Sequence, residues 1–313
     1  MASAQFFWHA VAANVKSFLA MIGCRPSVLH RFLTVPFLLL TMTLSFSAMT
    51  ARAQREPATS TAPPHSYLGF DSDVYPGDAA LPILRKTFSF TGYWVGPPPE
   101  EKSSTWLGKR ELLRKLGFGF LVLYRGRTSH EFDKSANGTD QGAYDAKKAS
   151  SAAKQEGFPP DTIIFLDVEE GGRFSPTYHA YLHAWSAGLA RAGYRPGVYC
   201  SGMAVKETGG VIIVAADDIR AHSAPHEFSF WVYNDACPPS PGCAFAKTPL
   251  PSASGVPYAR VWQFAQSPRR KEFAASCPPG YRQDGNCYAP NDAPESWSID
   301  VNAAATPDPS NGR

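Results

Sequence analysis

The sequence lacks the short motifs that identify several large enzyme classes. No Gly-x-Gly-x-x-Gly pattern follows the first predicted strand, which argues against a dinucleotide site. There is no Gly-x-Ser-x-Gly elbow for a serine nucleophile and no His-Glu-x-x-His pair for a zinc protease. No internal repeat is visible either. The 313 residues must therefore be interpreted from the order of their strands, helices and acidic side chains.

Net charge is nearly absent once residues 1–53 are set aside. That segment holds four of the 30 basic residues and no acid, so 26 basic and 27 acidic residues remain, a formal charge of −1. This balance does not favour nucleic acid or an anionic membrane surface as a partner. We expect a monomer that uses no cofactor.

The first 53 residues have the organisation of an export signal. An apolar run over residues 32–46 follows two arginines and precedes an Ala-x-Ala pattern that ends at Ala53. This order is typical of a secretory signal peptide, and the run is too short for a membrane span of about 20 residues. A retained N-terminal anchor is the alternative. A start at Met21 rather than Met1 would give a leader of ordinary length. We predict a secreted or periplasmic protein.

Cysteines are few, and four of the six form two pairs that are close in sequence. Cys237 and Cys243 flank a Pro/Gly turn, and Cys277 and Cys287 bracket another polar loop. In an oxidising compartment both pairs favour local disulfides that staple long loops. Zinc binding is the alternative, although neither pair has Cys-x-x-Cys spacing. Cys200 follows an apolar strand and is predicted to be a buried free thiol.

Strands and helices alternate between residues 66 and 303. Strands are predicted over residues 66–71, 88–95, 118–124, 162–167, 197–200, 211–215, 228–233, 260–264 and 297–302. Helices are predicted over residues 78–86, 105–116, 139–156, 176–192 and 217–222. This order predicts an α/β fold, a TIM-like (β/α) barrel with two disulfide-stapled loop insertions. A doubly wound sheet is the alternative, without a phosphate-binding glycine loop to support it. Residues 54–65 are predicted to be a disordered linker and residues 304–313 a disordered tail.

The fourth predicted strand leads directly into two carboxylates. Its apolar residues are followed by Asp167-Val168-Glu169-Glu170 and then by two glycines. Side chains two residues apart on a strand point to the same face, so Asp167 and Glu169 should project together at its C-terminal end. The functional interpretation is a catalytic pair, because the chemistry of a parallel barrel lies at that end. A strand that ends in solvated acids is the alternative.

Acids are predicted at the ends of three separate strands. Asp71 or Asp73 follows the first strand, Asp167 and Glu169 follow the fourth, and Asp300 belongs to the last. Clustered carboxylates repel one another, so their convergence requires a functional reason. Glycoside hydrolysis provides one. An acid of raised pKa protonates the leaving oxygen, and a second carboxylate acts as nucleophile, base or stabiliser.

Histidines are weaker candidates. His179 and His183 have i, i+4 spacing on a helix, as do His222 and His226 if their helix extends. Such pairs are able to bind metal, but they are expected on outer helices, away from the barrel mouth. We predict no metal site. A metal-dependent hydrolase that uses Asp71 and Asp73 is a third, weaker hypothesis.

A series of short motifs resembles the family 25 glycoside hydrolases, the muramidases with an irregular (β/α)-barrel. More closely, it is similar to secreted bacterial glycoside-hydrolase-like domains of unknown function. The resemblance covers residues 66–303. The motifs are Gly69-Phe70-Asp71, Phe165-Leu166-Asp167-Val168-Glu169, Gly197-Val198-Tyr199, Phe230-Trp231-Val232, Val261-Trp262-Gln263-Phe264 and Ile299-Asp300-Val301-Asn302.

The resemblance implies roles for the four acids. Glu169 would be the general acid and Asp167 the nucleophile or stabiliser, while Asp71 and Asp300 would line the site. The chain departs from family 25 at Asp71-Ser72-Asp73, where Asp-Val-Ser is typical, and in the additional acid Glu170. The implied substrate is peptidoglycan or a related polysaccharide, and the alternative is a catalytically silent glycan-binding barrel. The expected substrate-contacting residues are Asp73, Tyr93, Tyr124, Arg125, Tyr199, Trp231, Trp262 and Gln263. Core packing is the alternative for the aromatic ones.

Overall fold

A closed barrel of eight strands forms the centre of the structure, a computed structural model that describes residues 65–132, 137–224, 227–234, 248–265 and 299–313. The strands are β1 (Tyr67–Asp71), β2 (Phe90–Trp94), β3 (Gly119–Arg125), β4 (Ile163–Asp167), β5 (Arg195–Ser201), β6 (Ala204–Lys206), β7 (Ile212–Val214), β8 (Ser229–Tyr233), β9 (Val261–Ala265) and β10 (Asp300–Ala304). The helices are α1 (Leu81–Leu84), α2 (Arg110–Lys115), α3 (Gly138–Gln155), α4 (Pro176–Arg191) and α5 (Ala215–Ala221), with 3-10 turns at Ser129–Glu131 and Pro251–Ser254.

The barrel confirms the predicted TIM-like α/β fold and shows how it is irregular. Around the barrel the order is β1-β10-β9-β8-β5-β4-β3-β2. Every neighbouring pair is parallel except those of β10, which runs antiparallel to both β9 and β1. The start of β10 therefore lies at the same end of the barrel as the C-termini of the other strands. Asp300 begins its strand rather than ending it, yet it reaches this end.

Small residues and helix caps fix the two long helices outside β3, β4 and β5. A Cβ on Gly142 of α3 would lie 2.2 Å from the Tyr181 carbonyl oxygen of α4, so only glycine permits this approach. The Ser175 side chain accepts a hydrogen bond from Tyr178 N at 3.2 Å, as expected for a cap that precedes proline. The Asn137 side chain caps α3 in the same way.

Large apolar rings fill the barrel because glycines on neighbouring strands leave room for them. A Cβ on Gly69 would lie 2.0 Å from the ring of Phe90, and one on Gly197 would lie 2.6 Å from the ring of Phe165. The Phe165 ring packs edge-on against Trp231, with centroids 5.7 Å apart. The interior is therefore a packed core below the end that carries the acids.

The prediction of a disordered tail over residues 304–313 is wrong. The C-terminal segment lies between the first residues of β3 and β4. Ser310 N donates to Phe120 O of β3 at 2.9 Å, and Ile163 N of β4 donates to Ser310 O at 2.8 Å. Ser310 is completely buried. Asp308 Oδ1 accepts a hydrogen bond from Phe120 N at 2.9 Å. The segment is polar and proline-containing, but these strand ends supply partners for its backbone.

The strand predicted over residues 211–215 does not join the barrel. It forms β7, which pairs only with β6 in a separate two-stranded hairpin, and its last residue begins α5. Ile212 is 67% exposed. The apolar run predicted the strand correctly but not its place outside the barrel, because two glycines at 209 and 210 turn the chain back on itself.

Several predictions fall outside the described residues. These are the signal peptide, most of the linker and both cysteine pairs, Cys237 with Cys243 and Cys277 with Cys287. Cys200 is buried and free, and burial raises the pKa of its thiol, as suits an inert position. Among the described residues, no helix has the length and apolarity that crossing a membrane would require.

Candidate active site

One end of the barrel collects acidic side chains from strands that are distant in the sequence. Asp71 ends β1, Asp167 ends β4 and Asp300 begins β10. The strand register places Asp71 opposite Asp300, and Arg125 opposite Asp167. The structure thus brings three of the predicted catalytic acids to one rim, together with the predicted basic residue.

Amide side chains hold Asp71 in place. Gln263 Nε2 donates to both of its carboxylate oxygens, at 3.0 and 3.2 Å, and Asn302 Nδ2 donates to Oδ1 at 2.6 Å. Gln263 Nε2 also lies 3.2 Å from Asp300 Oδ2, so one amide connects the two acids. Trp231 Nε1 donates to Asn302 Oδ1 at 2.9 Å, which orients that amide. The positions of Asp71 and Asp300 are therefore fixed by partners from three strands.

Asp71 changes its protonation state near neutral pH. Burial raises its pKa to about 7, because the charged form loses its hydration. The hydrogen bonds from Asn302 and Gln263 oppose this rise, and the negative charge of Asp73 adds to it. At this pKa, the Asp71 carboxyl group binds a proton about as tightly as an ordinary histidine side chain does.

Asp167 is buried without a hydrogen-bond donor from the described residues. It is 5% exposed. Burial, followed by the negative charges of Glu169, Asp73 and Asp71, raises its pKa well above the usual range, and Arg125 opposes this. A buried carboxylic acid in this state either keeps its proton or receives its hydrogen bonds from a ligand.

The backbone around Asp167 is tightly constrained. Gly126 N donates to the Asp167 carbonyl at 2.9 Å, and a Cβ on Gly126 would lie 2.1 Å from that oxygen. Val168 N donates to Tyr199 O at 2.8 Å. The two neighbouring strands therefore hold the end of β4 from both sides, which fixes where the acids emerge.

Glu169 follows β4 and is exposed to solvent. The Tyr233 hydroxyl donates to the Glu169 carbonyl at 2.7 Å and ties this turn to β8. Partial burial raises the pKa of the Glu169 carboxyl, Arg125 opposes the rise and Glu100 adds to it. Asp167 and Glu169 line the same cavity of about 60 Å³, so the deep and the exposed acid face one space.

Asp73 belongs to the acidic surroundings of this pair. It lies in the loop after β1 and is exposed. Its carboxyl group is still partly shielded from water, and this loss of hydration contributes most to raising its pKa to about 6. The negative charges of Glu169, Glu101 and Glu100 raise the pKa further. Its interaction with Glu169 and with Asp167 places the end of β1 near the end of β4.

Glu170, the additional acid in the sequence, has a structural partner. Its carboxylate accepts hydrogen bonds from Ser129 N, at 2.6 Å, and from the Ser129 hydroxyl. It therefore anchors the 3-10 turn after β3 to the end of β4, and its oxygens are engaged away from Glu169.

Tyr199, Trp231 and Gln263 support the acids rather than offering surfaces for sugar stacking. Tyr199 is 7% exposed and Trp231 is completely buried. The Tyr199 hydroxyl donates to Gln263 Oε1 at 2.6 Å, and its ring packs edge-on against Trp231 at 4.6 Å. The expectation that these residues contact substrate is corrected for Trp231, whose ring lies in the barrel core.

Tyr93 and Trp262 are buried elsewhere, so the same expectation is corrected for them. Tyr93 is completely buried between the barrel and its outer layer, where its ring packs against Phe158 at 5.2 Å. Trp262 is 1% exposed and its Nε1 donates to Asn234 O at 3.0 Å. Alternation along a short strand does not distinguish the inner from the outer face when both faces are apolar.

Tyr124 and Arg125 lie beside a larger cavity next to the acids. Its volume is about 270 Å³, and it shares Arg125 with the cavity of Asp167 and Glu169. The Tyr124 ring stacks on Trp185 at 5.7 Å, and Arg125 forms an ion pair with Glu131 at 3.0 Å. These two predicted substrate-contacting residues thus lie at the rim, beside the acids.

A family model, described as the Rv2525c-like, glycoside hydrolase-like domain, matches residues 92–274, more than half of the chain. The chain belongs to this family. The resemblance to secreted glycoside-hydrolase-like domains is thereby confirmed at the level of the family. No curated protein matches the sequence.

Several solved structures of bacterial proteins have a similar fold. An uncharacterised protein from B. stearothermophilus has 18% identity and a TM-score of 0.46 over 76% of this chain and 95% of that chain. The Tat-secreted protein Rv2525c of Mycobacterium tuberculosis has 15% identity and a TM-score of 0.44 over 78% and 96%. The spore cortex lytic enzyme SleM of Clostridium perfringens has 15% identity and a TM-score of 0.47 over 78% and 68%. Similarities at this level carry no functional argument.

Asn302, at this end of the Rv2525c-like domain, was missing from the predicted site, and Trp94 and Tyr233 were considered only as aromatic residues near strand ends that suit stacking on sugar rings. Asn302 and Tyr233 hold Asp71 and the Glu169 backbone. Trp94 ends β2, and its Nε1 is buried with no partner among the described residues. The period-two spacing of Asn302 from Asp300 was a usable signal. Nothing local distinguished Trp94 and Tyr233 from other aromatic residues.

The histidines group differently from the predicted i, i+4 pairs. His179 of α4 lies beside Asp218 and His222 of α5, and each of the three offers a ligand atom within 4.8 Å of the others. His183 instead contacts Glu227, at 3.3 Å. The cluster is on the outer helices, as expected, but it joins two helices rather than one.

Proposed function

We propose that this chain is an exported glycosidase of bacterial cell-wall glycan, with Glu169 as general acid and Asp167 as the second carboxylate. The substrate class is peptidoglycan or a related polysaccharide. The family assignment to a glycoside hydrolase-like domain supports the reaction class, and the predicted signal peptide supports the location of the substrate. We further propose that the protein acts as a monomer, with neither nucleic acid nor membrane as a partner.

The observation that carries the proposal is the state of Asp167. A carboxylate that is 5% exposed, surrounded by other acids and not hydrogen-bonded by described residues costs stability. A core position would accommodate an apolar residue at lower cost. Strongly perturbed acids in a cleft are instead characteristic of catalytic sites.

The two acids differ in the way that glycoside hydrolysis requires. Glu169 is exposed with a raised pKa, so it is able to hold a proton and to deliver it to a leaving oxygen at the rim. Asp167 lies deeper on the same cavity. Hydrogen bonds from a bound sugar would favour its charged form, which would stabilise the positive charge that develops on the sugar. The glycosidic C–O bond breaks as Glu169 gives its proton to the leaving oxygen. Water then forms the new bond to the anomeric carbon and returns a proton to Glu169.

Asp71 and Asp300 are assigned to orientation of the sugar. Both carboxylates are fixed through Gln263, and Asp300 is partly exposed. Fixed acceptors bind hydroxyl groups without reorganisation, which favours one orientation of the ring. The unpartnered indole N–H of Trp94 is a further donor that a bound glycan would satisfy.

The proposal is tested by incubating the purified chain with peptidoglycan and measuring new reducing ends and soluble fragments by mass spectrometry. We expect Glu169→Gln to lower the rate by about 10²–10⁴-fold, since an amide cannot donate the proton. Glu170→Gln is the matched control. It changes the adjacent residue in the same way. Glu170 lines the same cavity, but its carboxylate accepts hydrogen bonds from Ser129 and is not the proposed proton donor, so this variant should retain most of the rate.

Release of the same fragments at the same rate by Glu169→Gln and wild type would contradict the proposal. Saturable binding of glycan without new reducing ends would instead indicate the catalytically silent barrel. Loss of activity in a chelator would favour metal-dependent hydrolysis that uses Asp71 and Asp73.

A further inference from the structure

A cluster of metal-ligating side chains lies on the outer helices, separate from the acids of the barrel mouth. His179 Nε2 is 3.1 Å from Asp218 Oδ2, and His222 Nδ1 is 3.7 Å from Asp218 Oδ1. The two imidazole rings stack, with centroids 4.0 Å apart. Around a tetrahedral zinc with bonds of about 2.0–2.1 Å, neighbouring ligand atoms are about 3.3 Å apart. The separation of His179 Nε2 and Asp218 Oδ2 is close to this value, and His222 offers a ligand atom within 4.8 Å of both residues.

The His179 nitrogen is not satisfied by this arrangement. His179 is 9% exposed, and its Nε2 has no hydrogen-bond partner among the described residues although Asp218 Oδ2 is near. The carboxylate therefore does not lie along the direction in which this nitrogen hydrogen-bonds. An unpaired ring nitrogen in a buried position is costly, and a cation between it and the carboxylate would satisfy both.

The second histidine is arranged as a metal ligand usually is. His222 Nδ1 lies 2.8 Å from the backbone oxygen of Asp218, and because that oxygen only accepts, Nδ1 carries the proton. Donation of one ring N–H to a backbone carbonyl leaves the other nitrogen, Nε2, free to bind metal. The His222 side chain is 48% exposed and is able to rotate toward Asp218 and His179.

Two groups from the segment before α4 also contact Asp218. Phe174 N donates to its Oδ2 at 3.0 Å, and Arg173 Nη1 lies 3.8 Å from Oδ1. Ligating carboxylates are commonly supported by such additional donors. Asp218 thereby connects α5 to the segment between Glu169 and α4.

We infer that His179, Asp218 and His222 form a binding site for a divalent transition metal, Zn²⁺ in the first instance, with a fourth position open to water. Two imidazoles and one carboxylate are the donor set that suits zinc, whereas calcium and magnesium take oxygen ligands. The ion joins α4 to α5 and, through Asp218, fixes the segment that follows the candidate catalytic acids. Its role is structural, and the site is independent of the proposed glycosidase activity.

The test is metal binding by the full chain, purified without a polyhistidine tag and stripped with a chelator. Zn²⁺ is titrated calorimetrically, and bound zinc is counted after dialysis. We expect one equivalent per chain and a rise in the unfolding temperature. His179→Ala and His222→Ala should each weaken binding by more than about tenfold. His183→Ala is the matched control, since it removes an imidazole of α4 that contacts Glu227 instead.

If His179→Ala does not fold, His222→Ala still tests the inference, because the His222 side chain is exposed and its removal costs little packing. Circular dichroism checks that both variants are folded. Absence of stoichiometric zinc on the wild type would overturn the inference. So would unchanged binding by the folded His222→Ala variant, or an equal loss in His183→Ala.

Discussion

At the scale of single residues, the side-chain amide of Gln263 holds two acids of the barrel mouth in place through hydrogen bonds. Its Nε2 group is shared between Asp71 and Asp300, and its Oε1 accepts from Tyr199. An amide is suited to this position because it offers a donor to the carboxylates and an acceptor to the phenol at the same time. The residue is 1% exposed, so water cannot replace these contacts readily.

Gln263→Met is therefore expected to cost about 1–3 kcal/mol of unfolding free energy, because it removes one of the two amide donors of a buried carboxyl group and leaves only Asn302. The hydrogen bond favours the charged form of Asp71, whose pKa is raised by burial to about 7. The folded state binds more protons than the unfolded state between the ordinary value of 3.8 and that pKa, so stability falls as the pH rises through this range.

The loss caused by Gln263→Met should accordingly be larger at pH 8.5, where Asp71 is charged, than at pH 5. Urea unfolding at both pH values measures it, and Gln155→Met, on the exposed end of α3, is the control. An equal loss at the two pH values would show that the amide does not act on the charge of Asp71.

At the scale of secondary structure elements, the C-terminal segment closes the barrel at the end opposite the acids. Asp308 accepts hydrogen bonds from Phe120 N, Gly312 N and Arg313 N, at 2.9, 3.2 and 3.1 Å. Arg110 donates to the Gly312 carbonyl at 2.8 Å. These contacts satisfy backbone groups at the start of β3 that no neighbouring strand reaches.

We expect Asp308→Ala to destabilise the fold by about 1–3 kcal/mol, because it leaves the buried amide of Phe120 unpaired. Asp308→Asn keeps one acceptor oxygen and should lose less than half as much. Urea unfolding of the two variants compares these values. Equal stability of Asp308→Ala and wild type would mean that the segment contributes little to the barrel.

Much of the secondary structure was predictable from local sequence patterns. The long helices α3 and α4 agree with their predicted spans to within two residues, since caps, proline and C-terminal glycines mark them. The insertion of residues 305–313 between β3 and β4 was not predictable. It depends on partners nearly 190 residues away in the sequence, for which a polar, proline-containing segment gives no signal.

At the scale of the whole molecule, the barrel unites acids that the sequence separates. The seven parallel strands bring their C-termini to one end, and the antiparallel β10 brings its N-terminus there. The position of Asp71 and Asp167 followed from the strand pattern alone. The direction of β10 did not, because a short alternating strand has the same pattern in either direction.

The partners of the acids were less predictable than the acids themselves. Gln263 was included in the expected site through the family's motif, but its link to Asp71 is a contact across two strands and 192 residues. Tyr93 and Trp262 were included because they lie near strand ends, and they face the outer layer or the core. The sequence therefore predicted which acids lie at the rim, but not the packing that supports them.

The pH dependence of glycan cleavage tests the central claim most directly. The general acid must be protonated, so the rate of reducing-end release should decline at a pH above the ordinary Glu value of 4.5, since the pKa of Glu169 is raised. Arg125→Gln should move this decline to still higher pH, because the positive charge of Arg125 lowers the pKa of both Glu169 and Asp167. A decline at or below pH 4.5, or no cleavage at any pH, would contradict the account.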